Sequence, residues 1–223
     1  LNIVEVQYNW ANDLTERITT GAIVLHHAES TKCTAQDIHR WHLNNGWSGI
    51  GYHFFITKDG TIYRGRPLNA VGAHVEGHNW YTIGICVEGN YHSNNKIAFD
   101  TEMPEVQKSS IIQLCVYLLG IYPDCEILGH RDLLSTACPG DYFPFDEIKN
   151  KVLEEINTAK LIDVYPNYYK YGVQAIKDLA TNKKLLSNPD EHIITLGKSD
   201  ENSLDWLNIV INARVAREIG LIK

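Results

Sequence analysis

The chain has 223 residues, 44% of them hydrophobic and 21% charged, with a formal net charge of −7. This is the balance of an ordinary globular protein, long enough for one domain or for a domain with a small appendage. The acidic balance argues against a nucleic-acid partner, since phosphate binding needs a clustered basic face, and no apolar run reaches the roughly 18 residues of a membrane span.

In chain order, IVLHH is a short β-branched run that reads as a buried strand ending at His26 and His27. Side chains alternate along a strand, so the two histidines face opposite ways, and the one turned from the site takes a supporting or packing role. Thr34, with Asp37 three residues on, opens a helix through about Asn45. On that helix His39 and His42 are expected at the surface, while Trp41 and the following Trp47 are expected to pack. GYHFFITKDGTIYRGR has the pattern of a β-hairpin, with Asp59-Gly60 suited to a type I′ turn. YTIGICVEG is apolar enough for a central strand. Pro104-Glu105 begins a helix with Ile111, Ile112, Cys115, Leu118 and Leu119 at helical spacing. EILGH is a last strand that delivers His130, and DEIKNKVLEEI is a closing helix. Strands alternating with helices, plus one hairpin, indicate an α/β fold: a mixed central sheet flanked by helices, with its site at the strand ends.

Near Asp163 the composition changes. YPNYYKYG reads as a linker, placed at 159–172, and residues 173–223 as a small helical module. Its two helical patterns carry Val173, Ile176, Leu179 and Ala180, then Leu204, Leu207, Ile211, Val215 and Ile219, with Ser187-Asn188-Pro189 between them. About 60 residues is marginal for an independent core. The piece is therefore expected to pack on the first domain, on a second copy of the chain, or on both.

GHRDLLSTACPGD places His130 and Cys138 eight positions apart, and IVLHHAES supplies a further histidine far upstream. Zinc takes thiolate and imidazole ligands in tetrahedral geometry, and catalytic sites keep three protein ligands and one open position. A distant ligand joined to a close pair suits such a His-His-Cys site, and differs from the CxxC pairs of a structural knot. The five cysteines form no dense framework. With Cys138 on the metal, Cys86 and Cys115 are expected as buried thiols, and pairing of Cys33 with Cys125 stays open. This usage points to folding in a reducing cytoplasm. A cysteine peptidase built on Cys138 and His130 leaves the upstream histidine without a role, and no helix opens at Cys138 to lower its pKa.

IVLHHAES, HRWHLNNGWSGIGYHFFITKDGTIYRGRP, VGAHVEGHNWYTIGICVEG and GHRDLLSTACPGD follow one another in an order that resembles the zinc-dependent N-acetylmuramoyl-L-alanine amidases of type 2. That family includes lysozyme-like phage amidases and animal peptidoglycan recognition proteins. The resemblance spans about residues 1–155 and implies a zinc amidase catalytic domain over residues 1–158. It makes His26, His130 and Cys138 the zinc ligands and Tyr52, in GYHFF, the active-site tyrosine. Thr136 falls where phage members often carry lysine and animal amidases threonine, which implies a catalytic role. His74 and Asn79, in GAHVEGHN, match the positions that line the family's substrate groove. Some cytoplasmic members carry a catalytic glutamate at the position held here by Cys86, so a carboxylate mechanism is not expected, and Glu88 is only a weak substitute.

The resemblance further implies hydrolysis of the amide between N-acetylmuramic acid and L-alanine in bacterial peptidoglycan, by water activated at zinc. Tyr52, with an ordinary pKa near 10, then serves better as a donor to the developing oxyanion than as a base, and Thr136 as a second, uncharged donor. The rival is a non-catalytic peptidoglycan-binding module of the same fold. Such modules lack the metal cysteine, whereas Cys138 and Tyr52 are both present here. A clostridial or bacillar phage endolysin or autolysin is the expected setting, acting at the cell wall after release from the cytoplasm. No basic-then-apolar start marks a signal peptide, so a phage holin or prior signal removal is the expected route. The helical module looks like the small C-terminal modules of clostridial and bacillar wall amidases, whether wall-binding or dimerising. With a net charge of −7, wall affinity is expected from shaped pockets rather than from charge.

Overall fold

Among the described residues six strands form one sheet: β1 (Ile3–Val4), β2 (Ala22–His27), β3 (Phe54–Ile56), β4 (Ile62–Arg64), β5 (Thr82–Val87) and β6 (Glu126–Gly129). The computed structural model describes residues 1–93 and 98–158. The expected linker at 159–172 and helical module at 173–223, with their roles in wall binding or dimerisation, lie outside the described residues. Spatial order is β1-β4-β3-β5-β2-β6. Every neighbouring pair is parallel except the β3–β4 hairpin, so the sheet is mixed. β2 and β5 lie side by side at the centre and are buried along their whole length. Ile23, Val24, Leu25, Ile83 and Ile85 are fully enclosed there. Each such side chain stabilises the fold by about 1.5–3 kcal/mol relative to exposure.

Among the described residues three helices flank the sheet: α1 (Ala35–Asn44), α2 (Glu105–Ile121) and α3 (Phe145–Thr158). α1 starts at a full capping box, with Thr34 Oγ1 accepting from Asp37 N and Asp37 Oδ2 accepting from Thr34 N. This satisfies two N-terminal donors reciprocally, and loss of such a cap costs about 1 kcal/mol. Ala35 and Ile38 of α1 join Cys33, Ile50, Phe55 and Cys86 in one cluster on the sheet. α2 buries all five apolar residues expected of it. It also buries Gln107, whose Nε2 donates to the carbonyls of Ile56 and Glu88 while its Oε1 accepts from Tyr91. The Glu88 carbonyl, just past β5, thus gains a partner, and the Ile56 carbonyl, which already accepts from Glu88 N, gains a second.

Three local expectations need correction. The hairpin turn is not type I′, which needs positive φ at both central residues. Only Gly60 has positive φ, at 84°. Gly60 N donates to Thr57 O and Thr57 N to Thr61 O, the pattern of a type I turn followed by a glycine bulge. His39 and His42 are not surface residues: His39 is buried, and their Nδ1 atoms accept from Ile50 N and Gly51 N. Positions three apart share one helix face, and here that face meets the 46–51 loop, whose amides need acceptors. Trp41 and Trp47, expected to pack, stay partly exposed, although Trp47 sets its edge on His42. All five cysteines are free, so Cys33 and Cys125 do not pair.

Candidate active site

β2 and β6 are adjacent and parallel, with Leu25 level with Gly129. The next residue on each strand is therefore a histidine, and His26 and His130 emerge together at the carboxyl edge of the sheet. Ligands commonly collect at that edge in α/β folds. His130 turns off β6 into a single 3₁₀ turn, His130–Asp132. The chain then returns: Arg131 N donates to Cys138 O at 2.9 Å, and Arg131 Nη1 donates to Gly140 O at 3.2 Å. This stitched loop brings Cys138 back against the two histidines despite the eight-residue separation in sequence.

One donor atom from each of His26, His130 and Cys138 lies within 4.8 Å of the others. Cys138 Sγ is 3.7 Å from His26 Nδ1. Zn–S near 2.3 Å and Zn–N near 2.0 Å at a tetrahedral angle would place such a pair roughly 3.5 Å apart. His130 Nε2 is buried and has no hydrogen-bond partner in the protein. A buried nitrogen left so is costly unless something outside the chain occupies it. The donor set therefore fits zinc. Burial, then the neighbouring His74 and His130, push His26 well below its ordinary pKa, and burial lowers His130. Both imidazoles are neutral at pH 7, as ligands must be. Burial pushes the Cys138 thiol up to about 12, while a backbone N–H of His27 on the sulfur works the other way. A bound cation reverses that balance and deprotonates a coordinating thiol.

Tyr52 precedes β3, and its ring lies 5.1 Å from that of His26. Burial, followed by the neighbouring Cys86 and Cys138 thiols, raises its pKa well above 10. It is thus a neutral donor, unfit as a base. Cys86 stands beside His26 on β5 and carries a thiol where a carboxylate mechanism would need an acid. Thr136 is exposed, and its Oγ1 accepts from Cys138 N at 3.3 Å, so its hydroxyl proton is free to donate outward.

The remaining candidates face inward. Glu88 is a tether: its carboxylate accepts from Cys33 N at 3.2 Å and Lys58 N at 2.8 Å. His27 turns away from the metal donors and accepts from Tyr91 N at 2.9 Å. His74 and Asn79 were expected along a substrate groove, yet His74 is buried with its Nδ1 3.0 Å from His26 Nε2. Asn79 Oδ1 accepts from the backbone of His74 and Val75. The contact between His74 and His26 was missed in the sequence. The signal was the small residues Thr82, Gly84 and Cys86 alternating on β5, which leave one strand face open for a large ring.

A family model described as N-acetylmuramoyl-L-alanine amidase matches residues 16–141. The chain is 38% identical over 127 residues to the endolysin of Enterobacteria phage T3, spanning 55% of this chain and 82% of that protein. It is 34% identical over 137 residues to the N-acetylmuramoyl-L-alanine amidase of Homo sapiens, spanning 56% of this chain and 23% of that one. Among solved structures, the N-acetylmuramoyl-L-alanine amidase LysC from Clostridium intestinale URNW superposes with a TM-score of 0.63 at 44% identity, over 69% of this chain and 98% of that chain. The matched segment holds the three converging donors, Tyr52 and Thr136, and the chain belongs to the N-acetylmuramoyl-L-alanine amidase family.

Proposed function

We propose that residues 1–158 hydrolyse the amide between N-acetylmuramic acid and L-alanine in peptidoglycan, with zinc held by His26, His130 and Cys138. The observation that carries this reading is the convergence of those three donors within 4.8 Å at the carboxyl edge of the sheet. Bound there, zinc supplies a Lewis acid and makes water acidic enough to act near pH 7. The chain's own residues do the rest. Tyr52, kept neutral by burial, donates its hydroxyl proton toward the scissile carbonyl oxygen as negative charge gathers there. Thr136 adds an uncharged donor from the opposite loop, held at its place by the Cys138 amide. Donors fixed before the reaction cost no reorganisation when the charge develops. His26 and His130 stay neutral as ligands, and no carboxylate of the site serves as a base.

The setting is a bacterial cell wall reached after release from the cytoplasm, as phage endolysins reach it. Mass spectrometry of purified peptidoglycan after digestion tests the bond cleaved. The expected products are free stem peptides with a new L-alanine amino terminus, beside intact glycan strands. Released disaccharides, or cut cross-links with the stems still attached to sugar, would overturn the assignment.

A further inference from the structure

His74 has a setting that a groove residue does not need. Its ring is buried and seated between two glycines. A Cβ on Gly84 would fall 2.6 Å from the ring Cγ, and one on Gly72 would fall 2.4 Å from Cδ2. Asn79 Oδ1 pins the His74 amide at 2.8 Å. The ring has polar neighbours on both sides: His26 Nε2 at 3.0 Å from Nδ1, and Thr82 Oγ1 at 3.3 Å from Nε2. Thr82 Oγ1 in turn donates to His78 O at 2.9 Å.

The last bond sets the direction of all the others. A carbonyl oxygen can only accept, so the single hydroxyl proton of Thr82 is committed to His78 O. Thr82 Oγ1 must then accept, which places the proton of neutral His74 on Nε2. His74 Nδ1 is left as an acceptor, so His26 carries its proton on Nε2. The lone pair of His26 is thereby confined to Nδ1, the atom that faces Cys138 Sγ at 3.7 Å.

Resting on the zinc reading above, we propose that His74 is a positioning residue, which with Thr82 locks His26 in the tautomer that presents Nδ1 to the metal. Zinc-bound histidines ordinarily give their second N–H to a carboxylate, a carbonyl or water. Here the acceptor is a second, uncharged imidazole. The acceptor leaves the positive charge of the site undiminished, where a carboxylate would offset it.

The test compares His74→Leu, which keeps bulk but removes the acceptor, with His74→Asn, whose Oδ1 falls where Nδ1 was. Zinc affinity is read by chelator competition, and the His26 tautomer by long-range ¹⁵N–¹H NMR of the zinc-loaded protein. His74→Leu should weaken zinc binding roughly 10–100-fold, the usual cost of losing such a partner. His74→Asn should recover most of that loss, and Thr82→Val should fall between them. The wild-type spectrum should show His26 protonated on Nε2. A folded His74→Leu with wild-type zinc affinity overturns the proposal, as does a His26 proton on Nδ1. If His74→Leu fails to fold, the wild-type tautomer and the His74→Asn and Thr82→Val affinities decide alone. A wild-type protein that binds no zinc would instead sink the metal reading itself.

Discussion

Replacing Tyr52 by Phe removes one oxygen and little else. The ring keeps its place against Cys33, Ala35, Ile38, Ile50, Phe55 and Cys86, to which Tyr52 is packed. The oxygen's polar neighbour is the Cys86 thiol, at best a weak partner, so the stability cost should not exceed about 1 kcal/mol. The catalytic cost should be far larger. If the hydroxyl donates to an oxyanion absent from the ground state, its removal lowers kcat by roughly 10²–10³, or about 3–4 kcal/mol, while KM changes little. Tyr52 sets its ring beside that of His26 but its oxygen is not among the three converging donors, so zinc affinity should stay at the wild-type value. Steady-state kinetics of zinc-loaded enzyme on a soluble muropeptide would read the first effect, with chelator competition and thermal melting on the same samples. An unchanged kcat, in a step shown to be limited by chemistry, would leave Tyr52 a packing residue and refute the donor role. A loss of zinc would mean that the phenol acts by holding His26.

Cys138→Ser should lose zinc on gel filtration, because a neutral hydroxyl replaces a soft thiolate. His27→Ala should retain it, since that side chain binds Tyr91 N and not the metal; metal analysis of both variants would expose an exchange of these behaviours. Thr136→Ala should lower kcat less than Tyr52→Phe does, and Thr136→Lys should be tolerated because a cation there also stabilises an oxyanion. A folded, zinc-loaded but inactive Thr136→Lys would contradict that placement. Stability should fall with acid: burial holds His53 down at about 3, whereas in the unfolded chain it titrates near 6.5. The unfolded state therefore binds the proton first, and stability is lost from about pH 6.5 downward at roughly 1.4 kcal/mol per pH unit, or about 2 kcal/mol by pH 5 from this residue. Urea unfolding at pH 7 and pH 5 would show it, and equal stabilities would contradict it.

Features set by local pattern were legible before any coordinates. The Thr34–Asp37 capping box, the α2 face and the strands ending at His26 and His130 each follow from residue type and spacing over a few positions. Features set by partners distant in the chain were not. β1 is two residues long and exists by pairing with β4, too short for any periodicity to show. Asp59-Gly60 is compatible with more than one hairpin turn. α2 packs against the turn chosen, with Ser110 Oγ donating to Gly60 O. His39 and His42 looked like solvent-facing helix positions because their acceptor roles depend on loop amides up to eleven residues away. The contact of His74 with His26 was hidden for the same reason. The sequence neighbourhood of His74 matches a groove, but its seat is formed by Gly72, Gly84 and Thr82, whose approach is visible only once β5 is laid beside β2.

The central claim is that amide cleavage depends on a metal held by His26, His130 and Cys138. Its most direct test is a zinc titration of chelated, metal-free protein, with released L-alanyl peptides counted at each addition. Cleavage should be absent at the start, rise in proportion to bound zinc, and level off at one equivalent per chain. Full cleavage by protein verified to be free of metal would contradict the account.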